Sequence, residues 1–548
     1  MTSDFTSESA GGTSATTPVN SLRRRKFLAG GGLAMLGGSS LGGLLAGISP
    51  QAAAESTAKP VNLIKRVDPP SDIVALDAVA LSAAIKARQV SCRETMQAYL
   101  KQVERLNPKV NAIVSLQDGD ALLKQADRCD QQLARGQYLG WMHGMPHAVK
   151  DLAATAGIRT TFGSPLFKDN VPQHDDIFVE RIKRQGAIII GKTNTPEFGL
   201  GSNTDNPDFG ITKNAYDQSK IAGGSSGGAA VALALQMVPV ADGSDMMGSL
   251  RNPAAFNNIY GFRPTVGVVP SGPQPELFLG QLATNGPMGR TVADLAMLLS
   301  TQAGYDARAP LSVRENPARF AEPLKHDFRG TRVGWLGDLN GYLPMETGVM
   351  ELCSTSFASF ESIGCKVDEA RLDFAPERIW EMWLTLRHAS LAGSLGDSYL
   401  NPAKRALMKP ELIWEIEGGM KLPVTAFYKA SAARSALYDA FNNMFTHFDF
   451  VLLPTAQVFP FSVNAHWPDK IAGKNMDTYH RWMEVVIPAS LSGSPAISVP
   501  VGFGVQGLPM GVQIIGRRGA DLAVLQLAHA YEQATQWVQR RPPALLKT

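Results

Sequence analysis

Two glycine-rich stretches that contain serine determine the interpretation of this chain. Residues 222–228 read Ala-Gly-Gly-Ser-Ser-Gly-Gly, and residues 243–251 read Gly-Ser-Asp-Met-Met-Gly-Ser-Leu-Arg. Between them, small apolar residues predict a helix over 229–237 and a strand over 238–241. A serine that follows a strand and a glycine-containing turn, at the start of a helix, lies beside unpaired backbone N–H groups that attract an anion. The two stretches therefore predict a site suited to serine nucleophilic chemistry.

A serine hydroxyl is a weak nucleophile and needs a base. Histidine is absent from both stretches, but Lys150 lies upstream in the sequence Val-Lys-Asp. A lysine acts as a base only when it is neutral, and burial can lower an ammonium pKa by several units, up to ~5. Ser225 can then accept a proton from Ser249 and donate one to Lys150. Alone, such a lysine is usually a solvated surface residue, and such a glycine-serine run is usually a flexible turn or an anion-binding loop. Only their combination and order indicate a catalytic site.

Four further segments complete a known pattern. They read GMPHAVKD at 144–151, GKTNTPEF at 191–198, YGFRPT at 260–265 and GLPMGVQ at 507–513. Together with the two serine stretches, these segments resemble the amidase signature family of serine hydrolases. The resemblance extends over roughly residues 75–530 and is strongest over 144–270. It implies a Lys–cis-Ser–Ser triad, with Lys150 as the base, Ser225 as the relay after a cis peptide bond and Ser249 as the acylated nucleophile.

The resemblance also implies how a substrate is held. Gly199, Ser225 and the backbone of Met246–Ser249 are expected to line the acyl side. Main-chain N–H groups of consecutive residues are expected to form the oxyanion hole, namely those of Met246, Met247, Gly248 and Ser249. Three neighbouring residues are expected to support these groups from behind, namely Ser226, Asp245 and Arg251. The reaction implies no metal and no organic cofactor.

Two positions depart from the family pattern. Met247 stands where the family usually has the first of two glycines before the nucleophile. If that position requires positive φ, methionine is strained there; if it does not, the side chain narrows the pocket. His147 replaces a residue that is usually aliphatic, and we expect it to be a packed neighbour of Lys150 rather than a pocket-lining group.

The order of elements predicts an α/β fold. We expect one amidase-signature domain over 74–540, built on a central mixed twisted sheet with helices on both faces. A helical cap is predicted as an insertion at about 375–448. An early helix is predicted to carry a capping box at Ser91 and Glu94 and to end at Asn107-Pro108. Further strands are predicted at 187–190, 450–454, 495–500 and 511–516, and further helices at 290–300, 345–364 and 521–533.

The N-terminal residues have the composition of an export signal. Arg23-Arg24-Arg25-Lys26 precedes a mildly apolar run, and Ala52-Ala53-Ala54 supplies small residues of the cleavage type. We therefore predict a twin-arginine-type signal peptide with a disordered extension over 1–54, a linker over 55–73, and a periplasmic or secreted protein. A membrane anchor is the alternative, but the glycines and serines of the run make it weakly hydrophobic for a stable span. Cleavage after Ala54 is left open.

Composition excludes several classes of protein. Apolar residues make up 44% and charged residues 18%, so a large core is available. The net charge is +3 and there is no basic stripe, which argues against nucleic acid as a partner. The four cysteines form no C-x-x-C pattern, so a zinc or redox motif is not predicted. Buried free thiols are favoured, while a Cys353–Cys365 bridge is left open.

These observations favour hydrolysis of a small or medium organic amide through a Ser249 acyl-enzyme, with release of carboxylate and an amine or ammonia. A catalytically inactive amidase-like binding protein is an alternative that rests only on Met247. A glutamine-dependent amidotransferase subunit is another, against which predicted export argues. A homodimer is possible by family analogy. Nine aromatic residues of the least motif-like region either line the substrate pocket or pack in the core: Trp380, Trp383, Phe427, Tyr428, Phe459, Phe461, Trp467, Tyr479 and Trp482.

Overall fold

An eight-stranded mixed sheet forms the centre of the computed structural model, which describes residues 71–547. The predicted signal segment 1–54 and most of the linker 55–73 lie outside the described residues, which all belong to one unit, Leu63–Thr548. The described strands are β1 (Ile113–Val114), β2 (Pro146–Lys150), β3 (Ile188–Thr193), β4 (Ala241–Asp245), β5 (Tyr260–Arg263), β6 (Thr284–Gly289), β7 (Arg332–Trp335), β8 (Lys366–Glu369), β9 (Phe450–Pro454), β10 (Lys470–Ile471), β11 (Lys474–Asn475), β12 (Ala496–Phe503) and β13 (Pro509–Gly516).

The large sheet has the strand order β4-β6-β5-β12-β13-β9-β7-β8. Its β7 pairs in parallel with β8 and β9, whereas the other neighbours are antiparallel. A second sheet of three strands has the order β1-β3-β2, with β2 and β3 parallel. Strands β10 and β11 form a separate hairpin. The α/β class with a mixed sheet is thus confirmed.

Helices cover both faces of the large sheet. No helix among the described residues has the length and apolar character needed to cross a membrane. The described α-helices are α1 (Ser71–Ala75), α2 (Ala78–Lys86), α3 (Cys92–Val110), α4 (Gly119–Ala134), α5 (Ile177–Arg184), α6 (Gly227–Ala234), α7 (Arg251–Phe256), α8 (Val292–Gln302), α9 (Val349–Ser354), α10 (Phe357–Ser362), α11 (Pro376–Leu400), α12 (Pro402–Arg405), α13 (Pro410–Met420), α14 (Val424–Met444), α15 (Ile487–Ser492), α16 (Asp521–Thr535) and α17 (Trp537–Arg540).

Helix α3 begins as the sequence predicts and ends later. The Ser91 hydroxyl accepts the N–H of Glu94, and the Glu94 side chain accepts the N–H of Ser91, which is the predicted capping box. The predicted end at Asn107-Pro108 is wrong, because the helix continues to Val110 with proline in its last turn. Proline removes one hydrogen bond near the helix end, where few bonds remain to be lost.

The predicted strand at 238–241 is also displaced. Strand β4 begins at Ala241 and includes Gly243 and Ser244, which the sequence places in a turn. These two residues pair with Gly286 and Asn285 of β6. A Cβ on Gly243 would lie 2.6 Å from a side-chain atom of Leu250, so the glycine is needed for close packing rather than for a turn. The preceding helix is α6, which is shorter than the predicted 229–237.

The cap consists of helices α11 to α14, which occupy most of the predicted segment 375–448. Its core joins Leu391, Leu412 and Ile416 to Leu200, which belongs to the segment after β3. Lys409 fixes the start of α13 to the same segment, since its Nζ donates to the Leu200 carbonyl at 2.8 Å. The cap is therefore attached to the part of the chain that contains Gly199.

Other predicted elements need smaller changes. The helix predicted over 345–364 is divided into α9 and α10. All four cysteines are buried free thiols, so the Cys353–Cys365 bridge that the spacing left open is not formed.

Candidate active site

Lys150 ends β2 in the small sheet and is only 1% exposed. Its Nζ lies 2.8 Å from the hydroxyl oxygens of both Ser225 and Ser226, and 3.1 Å from that of Ser244. Burial lowers the pKa of Lys150 to about 7, although Asp242 and Asp245 oppose the shift. The amine is therefore partly neutral near pH 7, as a lysine base requires.

Ser225 follows a cis peptide bond from Gly224 and is 2% exposed. Two hydroxyl side chains hold the preceding glycines. Ser202 Oγ donates to the Gly224 carbonyl at 2.7 Å, and Thr204 Oγ1 donates to the Gly223 carbonyl at 2.8 Å. A Cβ on Gly224 would lie 2.9 Å from Thr204 Oγ1. The absence of side chains thus allows the serine loop to lie directly against its neighbours.

Ser249 lies between β4 and α7 and is 7% exposed. The N–H of Ser226 donates to its carbonyl at 3.2 Å, which fixes the main chain of Ser249 beside the Ser225 loop. In the part of the chain that the structure describes, no partner lies within hydrogen-bond distance of the Ser249 hydroxyl, so the relay bond to Ser225 is not formed here. Catalytic hydrogen bonds are often long without substrate and shorten in its complex.

One predicted oxyanion donor has another role. The N–H of Gly248 donates to Asp245 Oδ1 at 2.9 Å, so in this structure it is already engaged, and its predicted role as an oxyanion donor stays a prediction. Over residues 71–547, the N–H groups of Met246, Met247 and Ser249 have no acceptor and remain available. Within that range, Met247 does not have positive φ, whereas Gly248 has a φ of 79°. Methionine is therefore unstrained at its position, which removes the one feature that favoured an inactive protein.

Asp245 and Arg251 form a fully buried ion pair below the nucleophile. Two nitrogens of Arg251 each lie 3.0 Å from the Asp245 carboxylate. Burial alone would raise the pKa of Asp245, but Arg251 and Arg263 more than offset it and hold the pKa well below its usual range. Arg251 also donates to Ser490 Oγ at 3.0 Å. The charged pair thereby fixes both ends of the nucleophile loop, since Asp245 also accepts the N–H of Leu250 at 3.2 Å.

Sequence reasoning missed Asp242, Ser244 and Arg263. Asp242 accepts the N–H of Lys150 at 3.1 Å and lies 2.9 Å from His147 Nε2. His147 is fully buried, as the packed interpretation predicts. Alternation along a strand places residues 242 and 244 on one face. This signal could not be used, because the sequence predicts a turn at these residues rather than a strand. Arg263 lies in the family-like segment at 260–265, but the sequence does not indicate that it interacts with Asp245.

Lys192 is a second buried lysine in the family-like segments. Its Nζ donates to the Ala153 carbonyl at 2.6 Å and to Thr155 Oγ1 at 2.8 Å. Burial lowers its pKa to about 8. These bonds hold the chain just after β2, so Lys192 supports the position of Lys150. Among the described residues, its amine donates no hydrogen bond to a serine.

Gly199 lies close to Ser225, as predicted. It has a φ of 70°, and a Cβ there would lie 3.2 Å from Ser225 Oγ. Of the nine aromatic residues, Trp383 and Trp482 are core residues, and Tyr428 is 76% exposed. Across residues 71–547, no group of three or more His, Cys, Asp or Glu side chains is arranged to hold a metal ion.

The chain is similar to amide-cleaving enzymes over most of its length. An Amidase family model matches residues 94–525. An acylamidase of Rhodococcus erythropolis is 32% identical over 482 residues, which are 85% of this chain and 97% of the relative. A glutamyl-tRNA(Gln) amidotransferase subunit of Cyanothece sp. is 32% identical over 483 residues, with 84% and 98% covered.

A solved structure agrees with this assignment. The crystal structure of a bacterial aryl acylamidase, described as a member of the amidase signature enzymes, has a TM-score of 0.80 and 29% identity. It covers 85% of this chain and 97% of its own. The buried lysine, the two serine loops and the mixed sheet are therefore found in a chain that belongs to the amidase signature family and is an amide hydrolase.

Proposed function

We propose that Ser249 is the nucleophile of this hydrolase, that Ser225 transfers the proton and that Lys150 is the base. The observation that supports this most strongly is the 2.8 Å contact of the buried Lys150 Nζ with Ser225 Oγ, combined with a lysine pKa of about 7. When Lys150 is neutral, its lone pair can accept the Ser225 hydroxyl proton. Ser225 can then accept the proton that Ser249 loses.

The proposed cycle has two halves. In acylation, Ser249 Oγ attacks the amide carbon, and its proton moves through Ser225 to Lys150. The same path then delivers that proton to the leaving nitrogen as the C–N bond breaks. In deacylation, water attacks the ester carbon, its proton takes the same path, and Ser249 recovers its proton as the carboxylate leaves. The Lys150–Ser225 part of this path is already formed, whereas the Ser249–Ser225 hydrogen bond has to form when substrate binds.

The oxyanion is proposed to form next to the N–H groups of Met246, Met247 and Ser249. These groups are unpaired in the described chain, and they lie in one short loop after β4. Loss of one oxyanion-hole donor typically costs roughly 3 kcal/mol of transition-state stabilisation. Asp245 supports this role because it holds the adjacent amides of Gly248 and Leu250.

The substrate is proposed to be a small or medium organic amide, with aryl acylamides as the first class to test. The basis is similarity to an acylamidase and to a structure of an aryl acylamidase. Export to the periplasm or the medium through the twin-arginine segment, and assembly as a homodimer, are further proposals. They rest on residues 23–26 of the sequence and on family analogy.

Fluorophosphonate labelling tests the assignment of the nucleophile. Intact-mass spectrometry of the wild-type protein should show one adduct, and peptide mapping should locate it at Ser249. The adduct should disappear in Ser249→Ala, and labelling should slow in Lys150→Ala. Ser394→Ala, which changes an exposed serine of the cap, is the matched control and should label like wild type. An adduct that persists in Ser249→Ala would refute the assignment.

A glutamine-dependent amidotransferase subunit is the second candidate. It is favoured by the Cyanothece subunit, whose 32% identity equals that of the acylamidase. Two assays distinguish the amidase from the amidotransferase subunit: the release of ammonia from glutamine and the hydrolysis of an acyl anilide. Efficient hydrolysis of the anilide without ammonia from glutamine supports the amidase, and the reverse supports the amidotransferase.

A further inference from the structure

We propose that Arg387 of the cap recognises an uncharged carbonyl oxygen in the acyl part of the substrate. The bound oxygen would lie beyond the scissile amide, so the preferred substrates are acyl amides with a second, neutral acceptor group. This inference rests on the proposed function, since it assumes that the Ser249 loop is the reacting centre.

Arg387 lies on α11, yet its guanidinium is 4% exposed. Its Nε donates to Glu415 Oε1 at 2.6 Å, and its Nη2 donates to Tyr479 Oη at 2.7 Å. Tyr479 donates in turn to Glu415 Oε1 at 2.7 Å. These bonds fix the plane of the guanidinium, so the direction of its third nitrogen is fixed as well.

The third nitrogen, Nη1, has no oxygen acceptor within the described residues. Its one recorded contact is Met246 Sδ at 3.2 Å. A thioether sulfur is a weak acceptor, and a methionine side chain rearranges easily. Burial of a charged donor with such a poor partner is unfavourable, so a substrate oxygen that displaces the sulfur would gain a charge-assisted hydrogen bond.

The location of this nitrogen links it to the reacting centre. Met246 is three residues before Ser249, and its own N–H is one of the unpaired amides of the nucleophile loop. On the other side, Tyr479 lies against Gly201, where a Cβ would be 3.5 Å from the tyrosine ring. Gly201 is two residues from Gly199, which contacts Ser225. Arg387 therefore lies between the two segments expected to line the acyl side.

The charges around Arg387 favour a neutral acceptor. Glu415 is fully buried and already neutralises the guanidinium, and His388 Nδ1 lies 2.7 Å from the other Glu415 oxygen. Burial raises the pKa of Tyr479 and lowers that of His480 to about 3, so both stay uncharged near pH 7. A substrate carboxylate would add an unbalanced negative charge to this buried group.

His480 provides an independent observation in the same cluster. Its ring is fully buried next to Tyr479, with ring centroids 4.4 Å apart. Neither ring nitrogen has a hydrogen-bond partner among the described residues. Buried polar groups are almost always paired in folded proteins. Unused hydrogen-bonding capacity at both Arg387 and His480 is thus consistent with a ligand that supplies the missing partners.

Three 4-nitroanilides of similar length test the proposal: N-acetylglycyl, pentanoyl and succinyl. The first has a neutral second carbonyl, the second has none, and the third has a carboxylate. For wild type, kcat/KM should be about 10- to 100-fold higher for the acetylglycyl than for the pentanoyl compound, as a hydrogen bond to a charged donor supports. Equal values, or a preference for the succinyl compound, would overturn the proposal.

Variants assign that preference to the guanidinium. Arg387→Met leaves Glu415 buried without its arginine counter-charge, so Arg387→Met/Glu415→Gln is the companion variant designed to remain folded. Both should lose the preference for the acetylglycyl compound, measured within each variant as the ratio of its kcat/KM to that of the pentanoyl compound. Arg405→Met, which changes an exposed cap arginine, should retain the preference. An unchanged preference in a folded Arg387 variant would refute the role of this residue.

Binding to the Ser249→Ala protein separates this inference from the proposed function. Calorimetry should show tighter binding of the acetylglycyl than of the pentanoyl anilide, and the difference should vanish when Arg387→Met/Glu415→Gln is added. If this result is obtained while wild type forms no Ser249 adduct, the assigned nucleophile is wrong and the recognition by Arg387 is supported. If wild type forms the Ser249 adduct but the two anilides bind equally well, the assigned nucleophile is supported and recognition by Arg387 is refuted.

Discussion

The region around the serine loops and the helical cap are built in different ways. A Cβ on Gly228 in α6 would lie 2.3 Å from the main-chain nitrogen of Asn194, whereas a Cβ on Gly393 in α11 would meet nothing within 4 Å. The cap also exposes large apolar side chains, with Val424 at 85% and Tyr428 at 76%. Main chain lies directly against main chain in the serine region; in the cap this happens where α13 meets α11 at Gly419, while the outer face of the cap is open. Substitution should therefore be tolerated poorly in the serine region and well on the outer face of the cap.

Loss of the nucleophile is expected to give the largest effect. Ser249→Ala should reduce kcat for amide hydrolysis by about 10⁴- to 10⁶-fold, as removal of a catalytic serine does in other hydrolases. Steady-state kinetics measures the loss, and a thermal melt should show little change in stability. Ser394→Ala in the cap should leave both quantities unchanged. A loss of less than about tenfold in Ser249→Ala would contradict the assigned mechanism.

The next largest effect is expected on stability, when one partner of the buried Asp245–Arg251 ion pair is removed. Arg251→Met leaves Asp245 buried without its main counter-charge, so the free energy of unfolding should fall by about 3–5 kcal/mol. Chemical denaturation measures the change. In the cap, Arg405→Met breaks a largely exposed pair with Glu417 and should cost at most about 1 kcal/mol. Equal losses in both variants would remove the distinction between the two regions.

Two glycine substitutions compare the regions directly. Gly228→Ala should lower the free energy of unfolding by about 1–3 kcal/mol, because its new methyl group meets the main chain at Asn194 and Ala112. Gly393→Ala should raise it by about 0.5–1 kcal/mol, since alanine favours the helix and the position is open. The opposite signs of the two changes are the result to check by denaturation. The same sign in both would refute the comparison.

The smallest expected effect is a shift in pH dependence. Since neutral Lys150 is the proposed base, kcat/KM should fall about tenfold per pH unit below the lysine pKa of about 7 and level off above it. The charge of Asp242 raises that pKa, so Asp242→Asn should move the acid limb to lower pH. Asp397→Asn on the exposed side of the cap should leave the profile in place. A shift to higher pH would contradict the assigned electrostatics.

Sequence patterns predict the catalytic residues of the serine region better than the residues that hold them in place. Lys150, Ser225 and Ser249 could be identified because each lies in a short segment with a recognisable order. Asp242 could not, because its role depends on β4 lying beside β2, and a turn was predicted where β4 runs. Nor does residue order reveal that the Gly248 N–H donates to a carboxylate only three residues away.

The cap was predicted as helical but its chemistry was not. Arg387, Glu415 and Tyr479 lie up to 92 positions apart, and they meet only because α11 packs against α13 and the segment that contains Tyr479 contacts both helices. Most of the aromatic residues suggested for substrate contact or core packing are buried or partly buried. Long-range contacts of this kind leave no periodic signal in one sequence.

The position of Lys150 in the small sheet has a consequence for inactivation. The base ends β2, whereas the nucleophile follows β4 of the large sheet, and Asp242 joins the two strands through the Lys150 N–H. A slide of one sheet past the other by about 1 Å would separate base and nucleophile without breaking either sheet's own ladder. Hydrolysis thus depends on the alignment of the two sheets. We therefore expect activity to be lost at lower urea concentrations than the circular dichroism signal of the helices and strands.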